Sequence, residues 1–305
     1  MASSEQSDRL RLDELVTEGR LPQGADYDQL TTRELVDLVN REDAVVPAAV
    51  AAAADELAGA LDAIVDKLRE GGRLVYVGAG TSGRLAELDA SECESTFSTE
   101  PGRVIALVAG AGLATAAERD AAEDDALAGA AAVRGIDVSG RDAVVGVSAS
   151  GRTPFVLGAL DEAGAAGALT VCVVSVPDSE LARIAQHEIA IVVGPEVVSG
   201  STRLKAGTAQ KLVLNSISTI SMVRLGKTYG DLMVDVAATN EKLQARARRV
   251  VRLATGAADD DVDEALVAAG GSAKVAIVSL LAGVDAATAR ARLHDNADTV
   301  RRAVE

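Results

Sequence analysis

Five short apolar runs, at residues 74–77, 104–108, 143–147, 169–176 and 189–193, divide the middle of this chain, and the segments between them have helical composition. A strand with one wet face alternates apolar with polar residues, whereas a strand buried on both faces reads as a continuous apolar run. The β-branched content of these runs favours strand over buried helix. Strands that alternate with helices build a parallel sheet covered on both faces, because each parallel connection must cross over the sheet. The expected fold class is α/β: a five-stranded parallel sheet of flavodoxin-like order 2-1-3-4-5, flanked by helices. Aromatics are only 2% of residues and Trp is absent, so Ala, Val, Leu and Ile must fill the core.

Residues 1–42 form a polar, mixed N-terminal segment, irregular over 19–27 where Gly19, Pro22 and Gly24 act as breakers. A helix is expected from near Asp43, with Pro47 in its first turn, through an Ala-rich run to Arg69, stopped by Gly71 and Gly72. The main domain is placed at 43–256. After the fifth run it holds a polar loop at 194–208 and helices over 209–225 and 234–255. Gly256 and the acidic stretch 259–263 mark a boundary. Residues 257–305 read as a small C-terminal helical, UBA-like subdomain with helices over 264–269, 273–281 and 285–292.

The formal net charge of -16 repels nucleic acid and anionic membranes, though a local loop can still hold a small anion. Two cysteines, Cys93 and Cys172, make neither a disulfide framework nor a four-thiolate metal site. The first ten residues lack a signal-peptide apolar core, and no long uncharged apolar run is present, so a cytoplasmic protein is expected.

The first run ends in Gly78-Ala79-Gly80-Thr81-Ser82-Gly83-Arg84. Gly78, Gly80 and Gly83 match the dinucleotide fingerprint G-x-G-x-x-G. That fingerprint also needs an acidic residue after the second strand to grip a ribose, and Ala109-Gly110-Ala111-Gly112 stands there instead. A Walker loop needs Lys after its last glycine, where this chain has Arg84. The third run leads into a second loop of similar chemistry, Ser148-Ala149-Ser150-Gly151-Arg152-Thr153. Small residues let backbone N–H groups approach an anion, helix N-termini favour negative charge, and hydroxyls donate to phosphate oxygens. Either loop alone is a capped helix start. In the expected strand order, however, both flank the topological switch point where ligands bind. Gly80, Thr81, Ser82, Gly83, Arg84, Ser148, Ser150, Gly151 and Thr153 are therefore the candidate cradle for one phosphate.

Two acidic segments, 89–93 (DASEC) and 118–125 (ERDAAEDD), follow strands on the same side of the switch point. Two glutamates on opposite sides of a sugar can serve as general base and general acid. Spacing alone does not separate Glu92 from Glu87 or Glu94, nor Glu123 from Glu118. His187 and His294 are too far from the loops in sequence to suggest a Ser-His-Asp triad, and no His/Cys/Asp cluster has metal-ligand spacing. Cys93 reads as a buried, inert thiol.

Longer motifs carry a resemblance. Residues 74–93 (LVYVGAGTSGRLAELDASEC), 144–156 (VVGVSASGRTPFV), 196–210 (EVVSGSTRLKAGTAQ), 211–219 (KLVLNSIST) and 231–243 (DLMVDVAATNEKL) resemble the N-acetylmuramic acid 6-phosphate etherase family of the sugar isomerase (SIS) fold superfamily. The resemblance runs from about Leu15 to the C-terminus. It implies a carbon–oxygen lyase that converts N-acetylmuramic acid 6-phosphate and water to N-acetylglucosamine 6-phosphate and D-lactate, by elimination and then hydration, in recovery of the cell-wall amino sugar. It implies no metal or organic cofactor, and a homodimer. The family's acid/base glutamate falls on Glu92 and its second glutamate on Glu123. The family's E-G-A-E-D pattern is altered here at Asp120 and Ala121. The 196–210 run adds Glu196, Ser199, Ser201 and Lys205 to the substrate-binding set. Arg84, Arg203 and Lys205 are alternative counter-charges. Repulsion from Asp124 and Asp125 is expected to raise the Glu123 pKa. Residues 94–101 (ESTFSTEP), 109–112 (AGAG) and 17–21 (TEGRL) depart from the family's usual patterns. An aldose–ketose isomerase of the same fold would need a base but release no lactate. A sugar-phosphate sensor that regulates a partner would not need both glutamates, and no basic DNA-reading segment is present.

Overall fold

The computed structural model describes residues 16–21, 26–235 and 241–305. They divide into two compact units, one drawn from residues up to Ala90 and from Ile105–Ile217, the other from Ser91–Val104 and Ser218–Glu305.

The first unit begins with helices α1 (Thr32–Asp43), α2 (Val46–Ala52) and α3 (Ala54–Arg69). The sequence reading of 1–42 as a polar, mixed segment names no helix there, and helix α1 adds one. It starts with a capping box: the Glu34 N–H donates to the Thr31 hydroxyl, and the Thr31 N–H donates to the Glu34 carboxylate at 2.8 Å. The continuous helix expected from Asp43 to Arg69 is corrected. It breaks at Ala53, where φ is -99° and ψ is 23°. An alanine run has no side-chain pattern to signal such a break.

The strands β1 (Leu74–Gly78), β2 (Val104–Val108), β3 (Ala143–Val147), β4 (Leu169–Val174) and β5 (His187–Ala190) form one sheet of order β2-β1-β3-β4-β5, as expected. Strand β5 starts before the apolar run at 189–193 and stops within it. Its limits follow pairing with β4, from Val171 opposite His187 to Val174 opposite Ala190, rather than hydropathy. Helices α4 (Gly80–Phe97), α5 (Ala116–Glu123), α6 (Ala126–Gly135), α7 (Pro154–Ala165) and α8 (Glu180–Ile184) connect the strands. Strands β1, β3 and β4 are buried throughout. Val75, Val77, Val144, Val156, Leu160 and Leu181 pack in one core cluster. Each such side chain contributes about 1.5–3 kcal/mol on burial.

Helix α9 (Lys205–Arg224) leads to a hairpin, β6 (Thr228–Tyr229) and β7 (Leu232–Met233), whose two-residue strands have no readable pattern. Helices α10 (Glu241–Thr255), α11 (Asp259–Ala268), α12 (Ala273–Ala282), α13 (Ala286–Asp295) and α14 (Val300–Val304) follow. Part of the helix expected over 234–255 falls on 236–240, outside the described residues. In the second unit Val251, Val262, Ile277, Val278 and Val300 are buried together. Its buried Lys274 places Nζ 2.6 Å from both Asp235 Oδ2 and Asp298 Oδ2, the pairing a buried ammonium requires. Among the described residues no single helix is long and apolar enough to cross a membrane.

A buried clamp holds the amino ends of β1 and β3. The Asp142 carboxylate accepts from the Arg73 N–H at 2.8 Å, the Arg73 guanidinium at 3.1 and 2.9 Å and the Ser139 N–H at 2.9 Å. Burial alone pushes the Asp142 carboxyl up; the Arg73 and Ser139 hydrogen bonds outweigh it and hold the pKa at about 2. Asp142→Ala should cost about 2–3 kcal/mol at neutral pH. The folded pKa lies below the unfolded one. The advantage of wild type is therefore present above about pH 4 and shrinks as pH falls through about pH 2. Urea unfolding across that range measures it, and equal stability of the two proteins at neutral pH would contradict the clamp.

Candidate functional site

Strands β1 and β3 pair in parallel from Leu74 opposite Ala143 to Gly78 opposite Val147. Their carboxyl ends stop at one level, so the two loops picked out by sequence emerge side by side. The first runs at once into α4. The Gly83 N–H donates to Ala79 O at 2.9 Å. A Cβ on Gly83 would lie 2.7 Å from Val108 Cγ1 and 2.8 Å from Gly78 O, and one on Gly78 would lie 2.8 Å from Gly83 N. These two glycines allow the helix start to lie against the strand end.

Gly80 has φ of 52°, and a Cβ there would lie 2.7 Å from Glu123 Oε1. The Glu123 carboxylate thus covers the first loop from the end of α5. Spacing did not separate Glu118 from Glu123, and the structure gives the two carboxylates different surroundings. Glu118 is used in a capping box, where its carboxylate accepts from the Thr115 N–H at 2.9 Å. Burial raises the Glu123 pKa, Asp120 and Asp124 raise it further, and Arg84 opposes them. The second neighbour is Asp120 rather than the expected Asp125, whose side chain instead caps α6 by accepting from the Ala128 N–H at 2.9 Å. Arg84 also donates to Thr81 Oγ1 at 3.3 Å.

In the second loop the buried Ser148 Oγ lies 2.8 Å from Thr153 Oγ1 and 3.5 Å from Ser150 Oγ, and accepts from the Gly151 N–H at 3.1 Å. Three of the anticipated hydroxyls therefore share one network. In the first loop, Ser82 Oγ donates to Gln210 Oε1 at 2.9 Å. Behind it the buried Asp89 accepts from Tyr76 OH at 3.0 Å and Asn215 Nδ2 at 2.6 Å, joining β1, α4 and α9. Sequence reasoning did not single out Gln210, Asn215 or Tyr76, and no local pattern marks them.

The 196–205 residues make contacts of another kind. Glu196 is buried and accepts from the Lys205 and Ala206 N–H groups at 3.0 and 2.9 Å, capping α9. Lys205 is buried with its Nζ 2.7 Å from Glu42 Oε2. Ser199 Oγ donates to Glu18 O at 2.8 Å, and the Ser201 N–H donates to Val198 O at 2.9 Å. Of the three counter-charge candidates, Arg84 is at the first loop, Lys205 is matched by Glu42, and Arg203 is exposed. Glu92 belongs to the second unit, exposed on α4, with its backbone carbonyl accepting from Ser95 Oγ at 3.1 Å.

Residues 56–164 match the family model of the glucokinase regulatory protein N-terminal SIS domain, and residues 130–219 match that of the SIS domain. An N-acetylmuramic acid 6-phosphate etherase from Streptomyces avermitilis is 55% identical to this chain over 97% of it and 95% of the relative. The chain belongs to the N-acetylmuramic acid 6-phosphate etherase family. A second etherase of that name, from Rubrobacter xylanophilus, is 59% identical over 93% of this chain and 94% of its own. Among solved structures, a phosphoheptose isomerase from Francisella tularensis has the same fold, with a TM-score of 0.51 at 17% identity, covering 64% of this chain and 100% of that one.

In this etherase-family chain, Gly83→Ala should cost about 1–3 kcal/mol, because the atoms in the way include backbone. Gly59→Ala on α3 meets nothing within 4 Å and should be neutral or stabilising. Urea unfolding of the two variants compares them, and equal stabilities would contradict the close strand–helix approach.

Proposed function

We propose that this protein cleaves the D-lactyl ether of N-acetylmuramic acid 6-phosphate, giving N-acetylglucosamine 6-phosphate and D-lactate, in recovery of the cell-wall amino sugar. Family membership supports the substrate. The observation that carries the chemistry is the Glu123 carboxylate lying over Gly80 of the first loop.

In this reading the two loops hold the phosphate through backbone N–H groups, the hydroxyls of Thr81, Ser82, Ser148, Ser150 and Thr153, and the Arg84 guanidinium. The aldehyde of the opened sugar acidifies the proton at C2. Glu123 removes that proton, the C3–O bond breaks, and Glu92 delivers a proton to the departing lactyl oxygen. The unsaturated sugar left behind is conjugated with the aldehyde. Water then adds, its hydroxyl to C3 and a proton to C2, with Glu92 activating the water. Overall, one water is consumed and one lactate released.

Glu123 must be ionised to act as base, so its raised pKa sets the acid limb of the rate. Asp120→Asn removes a like charge and should shift that limb of kcat/KM to lower pH. Arg84→Gln removes an opposing charge and should shift it upward. An acid limb unmoved by both changes would show that another group is the base.

Purified protein given N-acetylmuramic acid 6-phosphate should release D-lactate, followed by a lactate dehydrogenase assay. Glu92→Gln and Glu123→Gln should each lower kcat by about 100-fold or more. No lactate from wild type would reject the reaction, and an unchanged rate in either variant would reject that residue's role.

A further inference from the structure

Gln210 on α9 is 2% exposed, yet its Nε2 has no hydrogen-bond partner among the described residues. Its Oε1 is 2.9 Å from Ser82 Oγ, which donates to it. A primary amide has two N–H donors, and leaving them unmatched in the interior is unfavourable. Around this pair α9 touches the first turn of α4, since a Cβ on Gly207 would lie 3.5 Å from Thr81 Cγ2. A buried, unmatched donor therefore sits on a side chain that grips a hydroxyl of the first loop.

The amide has two orientations of nearly the same shape, while the hydroxyl has a single proton. With Oε1 toward Ser82, that proton is committed to Gln210 and withheld from a ligand. With Nε2 toward Ser82, the amide donates to Oγ and the hydroxyl proton is free for an anion. Without an anion, either orientation leaves one end of the amide unmatched. A bound anion selects the second, because hydrogen bonds to a charged acceptor are roughly twice as strong as neutral ones.

We infer that Gln210 is a positioning residue for phosphate: its amide turns on binding and directs the Ser82 proton to the anion. This rests on the reading of residues 78–84 as a phosphate cradle, and adds to it a residue outside both loops.

Calorimetric titration with inorganic phosphate tests it in wild type, Gln210→Met, Ser82→Ala and the double variant. Each single change should weaken phosphate by about tenfold. The double variant should lose no more than Ser82→Ala alone, because Gln210 acts on the anion only through the Ser82 hydroxyl. In turnover, KM should rise by the same factor with kcat within about twofold. Losses that multiply in the double variant, or unchanged phosphate affinity in Gln210→Met, overturn the role of Gln210 and leave the cradle standing. Failure of wild type to bind phosphate overturns both. Should Gln210→Met not fold, proton exchange at the Gln210 side-chain amide of wild type, followed by NMR, replaces it. Added phosphate should slow that exchange, and an unchanged rate overturns the inference.

Discussion

Parallel pairing of β1 with β3, unshifted from Leu74 opposite Ala143 to Gly78 opposite Val147, underlies everything else in the candidate site. At the amino end the Arg73–Asp142 clamp locks the two strands together through a buried carboxylate. At the carboxyl end the same pairing brings two loops to one level, where β2 and β3 depart to opposite sides of β1. A phosphate cradle needs donors from both loops held within a fraction of an ångström, and rigid strand ends supply that better than free loops. Gly78 and Gly83 complete the arrangement by letting α4 start directly against β1.

The chain carries a net charge of -16, yet its site reads as one for an anion. The resolution is local. In the proposed reading, backbone N–H groups, a helix start, clustered hydroxyls and Arg84 create a small favourable region within an unfavourable field. The same setting bears on the base role proposed for Glu123. Burial and two neighbouring aspartates raise its proton affinity, and Arg84 keeps that rise in check. A bound phosphate, with about -1.5 to -2 charge, strengthens the base further. In the proposed reaction, phosphate binding and proton abstraction are then coupled through charge as well as position.

Much of this was legible in the sequence, and the parts that were not share physical causes. Continuous β-branched runs announced β1, β3 and β4, since burial on both faces leaves no other pattern, while the partly buried β2 and β5 gave runs that matched the strand in β2 and were displaced from it in β5. The two loops were readable because glycine and hydroxyl residues at a strand end have few other uses in such density. Helix α1 escaped notice although its Thr31–Glu34 capping box is a local signal. The break at Ala53 and the two-residue strands β6 and β7 left no pattern in hydropathy. Glu118 is consumed as a cap of α5 by the Thr115–Glu118 box, the same local signal as Thr31–Glu34 and likewise passed over. Gln210 meets Ser82 across 128 residues of chain, and a contact of that range exists only once the sheet is built.

The central claim is that the sugar C3–O bond, not the lactyl C–O bond, is the one broken, after a proton leaves C2. The direct measurement is turnover of N-acetylmuramic acid 6-phosphate in oxygen-18 water, with both products analysed by mass spectrometry. The account predicts heavy oxygen at C3 of the N-acetylglucosamine 6-phosphate and none in the D-lactate. Heavy oxygen in the lactate, with an unlabelled sugar, would contradict it.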